Sequence, residues 1–252
     1  MILPLFKTHY SIGKSILTLD APSKVKAGGA DSAVDIAVDA GLKELILVED
    51  SMHGFLEAKR RCEESNLQLI FGIRVNMCQD YEVEKDRVPF HKIIIFAKND
   101  DGVRNLYKIY SAIHCDHDGR INEEDLKKLW VKKNLSLAIP FYDSFIYQNN
   151  LKYEANFMHN FNYFDPVFFI EDNALPYDKI LQDAVEEFAS SNKFQTQKTK
   201  SIYYRHRKDL EAFQTYKMIT SRSFSRKASI QAPNLDGCGS DEFCMESWLD
   251  AN

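Results

Sequence analysis

The chain has 252 residues, of which 44% are hydrophobic and 12% aromatic, so it can bury a sizeable core and is not a disordered polypeptide. Its formal net charge of -5 gives no overall attraction to DNA, so any nucleic-acid contact has to rest on a local basic face. The five cysteines form no CxxC pair and no apolar stretch approaches the ~18 residues of a membrane helix, which excludes a disulfide framework, a zinc knuckle and a membrane span, and predicts a soluble cytoplasmic protein.

The first regular elements are predicted from three continuous apolar runs, at Leu45–Val48, Leu69–Val75 and Lys92–Ala97. A continuous run is typical of a parallel strand that is covered on both faces. Between the first two runs, Gly54–Asn66 mixes apolar with charged residues and predicts a surface helix. The order strand, helix, strand is that of a βαβ unit.

Alternating helices and strands are predicted as far as residue 220. In order they are helices at 101–113 and 123–133, strands at 135–139 and 167–170, a helix at 177–190, a strand near 194–203 and a helix at 208–220. Such βα repeats without a break in composition predict one α/β domain, either a closed barrel or a doubly wound sheet, over residues 1–227. The segment 228–252 contains five acids and no Lys or Arg, and predicts an irregular acidic tail packed on that domain.

Four stretches share a likeness to one family: Phe6–Ser11, Leu47–Gly54, Leu69–Arg74 and His91–Ser111. Together they resemble the PHP (polymerase and histidinol phosphatase) domain, in the version found at the N-terminus of bacterial and phage C-family DNA polymerase III alpha subunits. The last stretch is the most specific, because it combines a histidine, a strand ending in Ala-Lys-Asn, a turn glycine and a helix opening with Asn-Leu. The resemblance implies a distorted (β/α)7-type PHP barrel over roughly residues 5 to 210.

The resemblance also implies where the metal ligands of such a barrel would stand, because the family collects imidazoles and carboxylates at the ends of its strands. In this chain the corresponding positions hold Lys7, His9, Glu49, Asp50, Arg74, His91, Ser201 and Tyr203. Only two histidines of the pattern, His9 and His91, are retained. The replacements at Lys7 and Arg74 are cations, and the likeness therefore implies a degenerate metal site.

A lysine ammonium about 4 Å from a divalent ion is repelled by roughly 8 kcal/mol at an effective dielectric constant near 20. We therefore expect no metal cofactor, and expect Lys7 and Arg74 to form ion pairs with Glu49 and Asp50 instead. The alternative is a rearranged centre in which His9, Glu49, Asp50 and His91 hold Mn, Zn or Mg.

Residues 198–227 contain nine Lys or Arg against two acids, with tyrosines interleaved. Cations bind phosphate and rings stack on unpaired bases, so this stretch is the candidate for single-stranded DNA binding. The candidate contacts are Lys198, Lys200, Arg205, Arg207 and Lys208. The alternative is that these cations pair with acidic segments of the same chain, such as the tail after Ala228.

A second cluster of polar side chains, His114–Gly119 followed by Asp125, imitates a calcium-binding EF-hand loop. The first position is a histidine and the twelfth is not the bidentate glutamate that such loops use. A polar turn between two helices is therefore favoured. At His53, a local role in the turn is favoured over catalysis.

These features lead to a main hypothesis and two alternatives. The main hypothesis is a catalytically inactive PHP-like scaffold or partner-binding module associated with DNA replication, which binds a replicative polymerase or another replisome protein in the cytosol of a bacterium or a phage-infected host. The first alternative is a metal-dependent phosphoesterase or 3′–5′ exonuclease built on the rearranged centre. The second is a protein-binding factor with neither metal nor DNA affinity. Whether the chain is free-standing or part of a larger polymerase stays open.

Overall fold

The computed structural model describes residues 1–81, 90–152, 161–221 and 239–252. Its strands are β1 (Leu3–Phe6), β2 (Glu44–Glu49), β3 (Gln68–Cys78), β4 (Phe90–Ala97), β5 (Arg120–Ile121), β6 (Leu135–Ile139), β7 (Val167–Ile170) and β8 (Gln195–Ile202). Its α-helices are α1 (Ala33–Asp39), α2 (Phe55–Glu64), α3 (Asp100–Ser111), α4 (Glu123–Leu129), α5 (Phe145–Tyr147), α6 (Asp178–Asn192), α7 (Leu210–Ser221) and α8 (Met245–Ala251). None of the helices in these ranges is long and apolar enough to cross a membrane.

The strands follow the order β2-β1-β8-β7-β6-β4-β3-β5, with a further pairing between β2 and β3. This order links seven strands in a ring and attaches β5 beside β3. It is the strand arrangement of a (β/α)7-type barrel, so the predicted α/β fold class is confirmed.

The direction of β4 differs from the prediction. We expected a parallel strand, but β4 is antiparallel to β3, with Arg74 opposite Ile94, and antiparallel to β6, with Ile94 opposite Ala138. Ile93, Ile94 and Ile95 are all buried. A continuous apolar run therefore indicated burial on both faces correctly, but burial on both faces does not determine the direction of a strand.

The predicted helices are present in the structure, but they begin or end at different residues. The Asn99 side chain caps α3 by accepting a hydrogen bond from the Gly102 amide at 2.8 Å. The helix predicted at 123–133 ends already at Leu129, because Trp130 adopts an extended backbone. The Trp130 ring is 7% exposed and packs edge-on against Phe164 at 5.0 Å, so its burial takes precedence over helix propensity.

The described residues fall into two compact units. The first unit comprises Met1–Phe71, Glu171–Asp178 and Lys198–Asn252, and the second comprises Gly72–Ile170 and Lys179–Gln197. The first unit has β1 between parallel β2 and β8. The second unit has an aromatic core formed by Phe145, Phe161, Phe168, Phe188 and Phe194, with ring centroids 5.0 to 6.5 Å apart.

The C-terminal segment is more ordered than the predicted irregular tail. Over residues 239–252 it pairs with the segment just after β8, with Cys244 opposite Tyr204, and then forms α8. The indole nitrogen of Trp248 donates a hydrogen bond to the Ile2 carbonyl oxygen at 2.8 Å. The prediction failed here because the acidic composition obscured the apolar residues that anchor the segment.

Candidate functional site

The end of β1 brings polar residues next to the end of β2. Phe6 pairs in register with Leu47 of β2, so the residues that follow Phe6 lie beside Glu49 and Asp50. Parallel strands end at the same edge of a sheet, which is where α/β folds carry their sites. We refer to Lys7, Thr8, Ser11, Glu49 and Asp50 as the Glu49 cluster.

Glu49 is fully buried and its carboxylate accepts three hydrogen bonds. The donors are the Thr8 amide at 2.9 Å, the Thr8 hydroxyl at 2.6 Å and the Ser11 hydroxyl. Burial raises the pKa of Glu49 from 4.5 to about 7, although the hydroxyls and the Lys7 ammonium act in the opposite direction. Both oxygens of the Glu49 carboxylate therefore accept hydrogen bonds from other residues of the chain.

Asp50 is held by the Lys7 ammonium, which donates a hydrogen bond to Oδ1 at 2.8 Å. The Lys7 side chain is 4% exposed and that of Asp50 is 32% exposed. The Asp50 amide donates to the Ser11 hydroxyl oxygen at 2.8 Å, which joins this pair to Glu49. The ion pair predicted between Lys7 and one of the two acids is therefore confirmed, with Asp50 as the partner.

The raised pKa of Glu49 predicts a pH-dependent stability. Because the folded chain keeps this proton up to about pH 7 while the unfolded chain releases it near pH 4.5, the free energy of unfolding should fall as pH rises between these values. The slope contributed by Glu49 is at most about 1.4 kcal/mol per pH unit. Urea denaturation of Glu49→Gln should lack this slope. Glu44→Gln, at the exposed start of the same strand, should keep it, and equal slopes in all three proteins would contradict the prediction.

The two histidines near this edge have local roles in the structure. His9 is exposed, its ring is tilted by 31° against that of Tyr10 with centroids 4.4 Å apart, and its Nδ1 lies 3.4 Å from the Leu17 carbonyl oxygen. His53 has Nδ1 2.9 Å from the Ser51 hydroxyl oxygen, two residues away. This contact supports the turn role that the sequence favoured for His53.

A second buried carboxylate in the first unit, Glu171, was missed by the sequence analysis. Its oxygens accept hydrogen bonds from the Ser201 hydroxyl at 2.8 Å, the Ser201 amide at 3.0 Å and the Asn173 amide group at 3.0 Å. Burial raises the pKa of Glu171, and these hydrogen bonds counteract the rise. The available signal was an acid directly after the apolar run of β7.

Tyr203 stands where the family resemblance implies a metal ligand, yet its ring is part of an aromatic stack. It lies between Phe213, at 5.6 Å, and Phe243, at 5.5 Å with an interplanar angle of 7°. Its carbonyl oxygen accepts hydrogen bonds from the Ser15 hydroxyl at 2.8 Å and the Ile16 amide at 3.1 Å. The structure thus gives Tyr203 a packing role.

Arg74 and His91 belong to the second unit. The Arg74 guanidinium donates to the Asp143 carboxylate at 2.8 Å and to the Tyr142 carbonyl oxygen at 3.1 Å. His91 is fully buried, and its ring packs edge-on against Phe145 at 5.5 Å. The pairing of Arg74 with the acids of the Glu49 cluster stays a prediction, as does a common site that includes His91.

The predicted nucleic-acid contacts differ in exposure. Lys198 and Lys208 are exposed, but Lys200 is 5% exposed and donates to the Asp172 carbonyl oxygen at 2.8 Å. Arg205 pairs with Asp39 at 2.9 Å. The prediction that Lys200 is a surface contact is therefore wrong, because its ammonium is used inside the first unit.

Arg207 pairs with the acidic C-terminal segment. Its guanidinium lies 3.2 Å from Glu242, 3.6 Å from Glu246 and 2.7 Å from Asp250. The alternative in which this basic stretch pairs with acids of the same chain is thus confirmed for Arg207. Binding of single-stranded DNA stays a prediction.

In the loop that imitates an EF-hand, the carboxylate at the twelfth position is engaged by neighbouring side chains. Asp125 accepts a hydrogen bond from Lys128 at 2.7 Å and lies 3.5 Å from His117, whose ring stacks on Tyr81 at 4.3 Å. The hydrogen bond from Lys128 is the main cause that lowers the pKa of Asp125. These contacts favour the polar turn over the calcium site.

The residues of the Glu49 cluster do not fit a multinuclear metal centre. Both oxygens of Glu49 are hydrogen-bonded, and the Lys7 ammonium lies against Asp50 where a cation would bind. Across the four described ranges, no three His, Cys, Asp or Glu side chains are grouped so that they could hold a metal ion. The expectation that the whole chain uses no metal cofactor stays a prediction.

Comparisons with known proteins agree with the family resemblance. The family model described as "PHP domain" matches residues 26–145. A curated relative, the PolC-type DNA polymerase III of Clostridium perfringens (strain 13 / Type A), is 36% identical over 62 residues, which make up 25% of this chain and 4% of that polymerase. The predicted resemblance to PHP domains of polymerase III is thereby confirmed for part of the chain.

A solved structure from Bifidobacterium adolescentis ATCC 15703, titled as a metal-dependent phosphoesterase, also matches. It is 15% identical and the match covers 50% of this chain and 43% of that one, with a TM-score of 0.24. At this TM-score the match gives no support for a shared fold or function.

Proposed function

We propose that this chain is a catalytically inactive PHP module of the DNA replication machinery, because residues 26–145 match the PHP domain model and a 62-residue stretch is 36% identical to a PolC-type DNA polymerase III. The observation that carries the proposal is the 2.8 Å ion pair of Lys7 with Asp50, in which the Lys7 side chain is buried and that of Asp50 is 32% exposed. A hydrolytic metal centre needs free lone pairs to bind its ions and to generate a hydroxide. In the Glu49 cluster, both oxygens of Glu49 and Oδ1 of Asp50 already accept hydrogen bonds from donors of the chain.

An inactive module acts through its surface. We propose that its partner is a replicative polymerase or another replisome protein in a bacterial or phage-infected cytoplasm. The relationship to polymerase III supports this setting, although the matched segment spans only 4% of the polymerase. The engagement of Arg205 and Arg207 with acids of their own chain makes a protein partner the better candidate than DNA.

The absence of catalysis is tested on the full chain, purified without chelators. We expect less than stoichiometric Mn, Zn or Fe by elemental analysis. We also expect no manganese-dependent hydrolysis of single-stranded DNA or of a phosphomonoester above the level of a His91→Ala variant. Stoichiometric metal together with hydrolysis that His91→Ala abolishes would overturn the proposal and establish the phosphoesterase or exonuclease alternative.

The partner is tested separately. The purified chain is mixed with a purified C-family polymerase alpha subunit of the same source, and complex formation is followed by sedimentation velocity. Fluorescence anisotropy with labelled single-stranded DNA is measured in parallel. A complex with the polymerase and no binding of DNA at physiological salt supports the proposal, whereas DNA binding without a protein complex contradicts it.

A further inference from the structure

Three exposed lysines gather where β4 ends and β6 begins, in the second unit. Lys98 follows β4, while Lys132 and Lys133 lie in the loop before β6. Because the two strands are antiparallel, with Ala97 opposite Leu135, the end of β4 meets the start of β6. The Lys98 ammonium donates a hydrogen bond to the Lys132 carbonyl oxygen at 3.1 Å. We refer to Lys98, Lys132 and Lys133 as the lysine patch.

The backbone that carries the lysine patch is fixed by hydrogen bonds and by close packing. The Lys98 amide donates to the Asn134 carbonyl oxygen at 2.8 Å, and the Asn134 side-chain amide donates to Oδ1 of Asn105 in α3 at 3.0 Å. Gly102 of α3 comes so close that a β-carbon there would lie 2.3 Å from the Asn134 carbonyl oxygen. A partner therefore meets a backbone that is already in place, which lowers the entropy cost of binding.

The positive charge of the lysine patch is not neutralised by the described part of the chain. Across the described ranges, none of its three ammonium groups lies within 4.0 Å of a carboxylate. The lysines of the neighbouring helix α4 differ, because Lys127 pairs with Glu123 at 2.6 Å and Lys128 pairs with Asp125 at 2.7 Å. In a chain with a net charge of -5, the lysine patch is thus a local reversal of sign that attracts an anionic partner.

The residues around the lysine patch favour a short anionic partner over a long one. The first turns of α3 and α4 contain five acids, Asp100, Asp101, Glu123, Glu124 and Asp125. Only three of these acids have ion pairs with cations in the described ranges. A nucleic-acid strand carries a phosphate at every nucleotide and would extend from three lysines onto these acids, which repel it. A short acidic segment of a protein can end its charges within the patch.

An exposed aromatic ring lies near the same loop. Trp130, two residues before Lys132, packs edge-on against Phe164 at 5.0 Å, and Phe164 packs edge-on against Tyr163 at 5.2 Å. The Tyr163 residue is 51% exposed. Aromatic residues are enriched where proteins bind each other, because they offer a large apolar surface. An apolar side chain of a partner can pack on this ring.

We propose that the lysine patch, together with Tyr163, is the docking surface for a short acidic segment of the protein partner that also contains an apolar side chain. The inference rests on the proposed function, since it states the chemistry of the partner that an inactive module binds. The carboxylates of the segment pair with the exposed ammonium groups, and its apolar side chain packs on the Tyr163 ring. Salt screens exposed charge pairs, so the affinity falls as the ionic strength rises.

The test uses a defined peptide, so that it does not depend on complex formation with the polymerase. The probe is a fluorescein-labelled peptide of alternating aspartate and glutamate with one central phenylalanine, and its binding to the full chain is followed by fluorescence anisotropy. Lys132→Gln combined with Lys133→Gln removes two charges from the lysine patch. Lys179→Gln combined with Lys193→Gln is the matched control, because both of these lysines are exposed residues of the second unit.

We expect the peptide to bind the unsubstituted chain and the Lys179/Lys193 variant with the same Kd. The Lys132/Lys133 variant should bind it about 5- to 30-fold more weakly, as expected for the loss of two exposed charge pairs. Tyr163→Ala should weaken binding of this peptide several-fold, but not binding of a peptide with alanine in place of the phenylalanine. Equal thermal unfolding midpoints show that the exposed substitutions leave the fold intact.

Three results would overturn the inference. The first is no binding of the peptide even at low ionic strength. The second is the same Kd for both double variants, because the attraction would then follow total charge alone. The third is tighter binding of labelled single-stranded DNA of the same net charge, lost in the Lys132/Lys133 variant, which would assign the lysine patch to nucleic acid. None of these results decides the proposed function, which depends on hydrolysis and on complex formation with the polymerase.

Discussion

Asp50→Asn is expected to lower the free energy of unfolding by about 3–5 kcal/mol, the range measured when one partner of a buried ion pair is removed. The reason is the burial of Lys7, whose side chain is 4% exposed and cannot regain water without disrupting the end of β1. An asparagine keeps the size of Asp50 but not its charge, so the ammonium would lose its 2.8 Å contact with a carboxylate. Urea denaturation in the presence of EDTA measures the change.

Because Lys7 and Asp50 differ in exposure, we expect their single substitutions to lower the free energy of unfolding by different amounts. Lys7→Met should cost less than Asp50→Asn, because Asp50 is 32% exposed and water can solvate its carboxylate when the ammonium is gone. The double variant should be more stable than the sum of the two single changes implies, since it removes both charges together. Equal costs for both single variants, with additive effects, would contradict this account.

A surface pair provides the control for these measurements. Lys179 Nζ and Asp183 Oδ1 are 2.7 Å apart, but the two side chains are 77% and 61% exposed. Exposed pairs contribute about 0–1 kcal/mol because water screens the charges and the side chains lose entropy. Asp183→Asn should therefore change the free energy of unfolding far less than Asp50→Asn, although the two distances are similar.

The Lys7–Asp50 pair could be predicted from the sequence because the family resemblance placed a cation where a metal ligand is expected. The hydroxyl donors to Glu49 could not. Thr8 and Ser11 are ordinary residues in the sequence, and their hydrogen bonds depend on how the loop after β1 folds over the end of β2. Local sequence does not specify such a geometry, because it results from the register of non-adjacent strands.

Glu171 illustrates a second reason why the site was only partly predicted. Its partner Ser201 is 30 residues away and stands where the resemblance implies an aspartate, so the position looked like a lost ligand. In the structure, the Ser201 hydroxyl and amide both donate to the buried Glu171 carboxylate. A replacement that removes a ligand can therefore create a hydrogen bond to a carboxylate that the motif does not include.

The fold was predicted better than the site because strands and helices leave a periodic signal. The strands at 135–139 and 167–170 coincide with β6 and β7. What the pattern did not reveal was the direction of β4 and the existence of α8. Both depend on contacts between distant parts of the chain, to which hydrophobic periodicity is insensitive.

Phe243→Ala is expected to destabilise the first unit by about 3–5 kcal/mol, the usual cost of removing a buried aromatic ring. Phe243 is 1% exposed and stacks on Tyr203 at 5.5 Å, and its carbonyl oxygen accepts a hydrogen bond from the Tyr203 amide at 3.0 Å. It thus joins the C-terminal segment to the end of β8. The cavity left by the ring would lie where α8 is attached to the unit.

The second tryptophan provides a local measurement of this attachment. The chain has two tryptophans, and in a Trp130→Phe background the fluorescence reports Trp248 of α8 alone. Phe243→Ala should shift this emission to longer wavelengths at lower urea concentrations than the parent. Leu249→Ala is the control on the same helix, because Leu249 is 53% exposed and should change stability by less than about 0.5 kcal/mol. If the two variants unfold at the same urea concentration, the C-terminal segment does not stabilise the unit through Phe243.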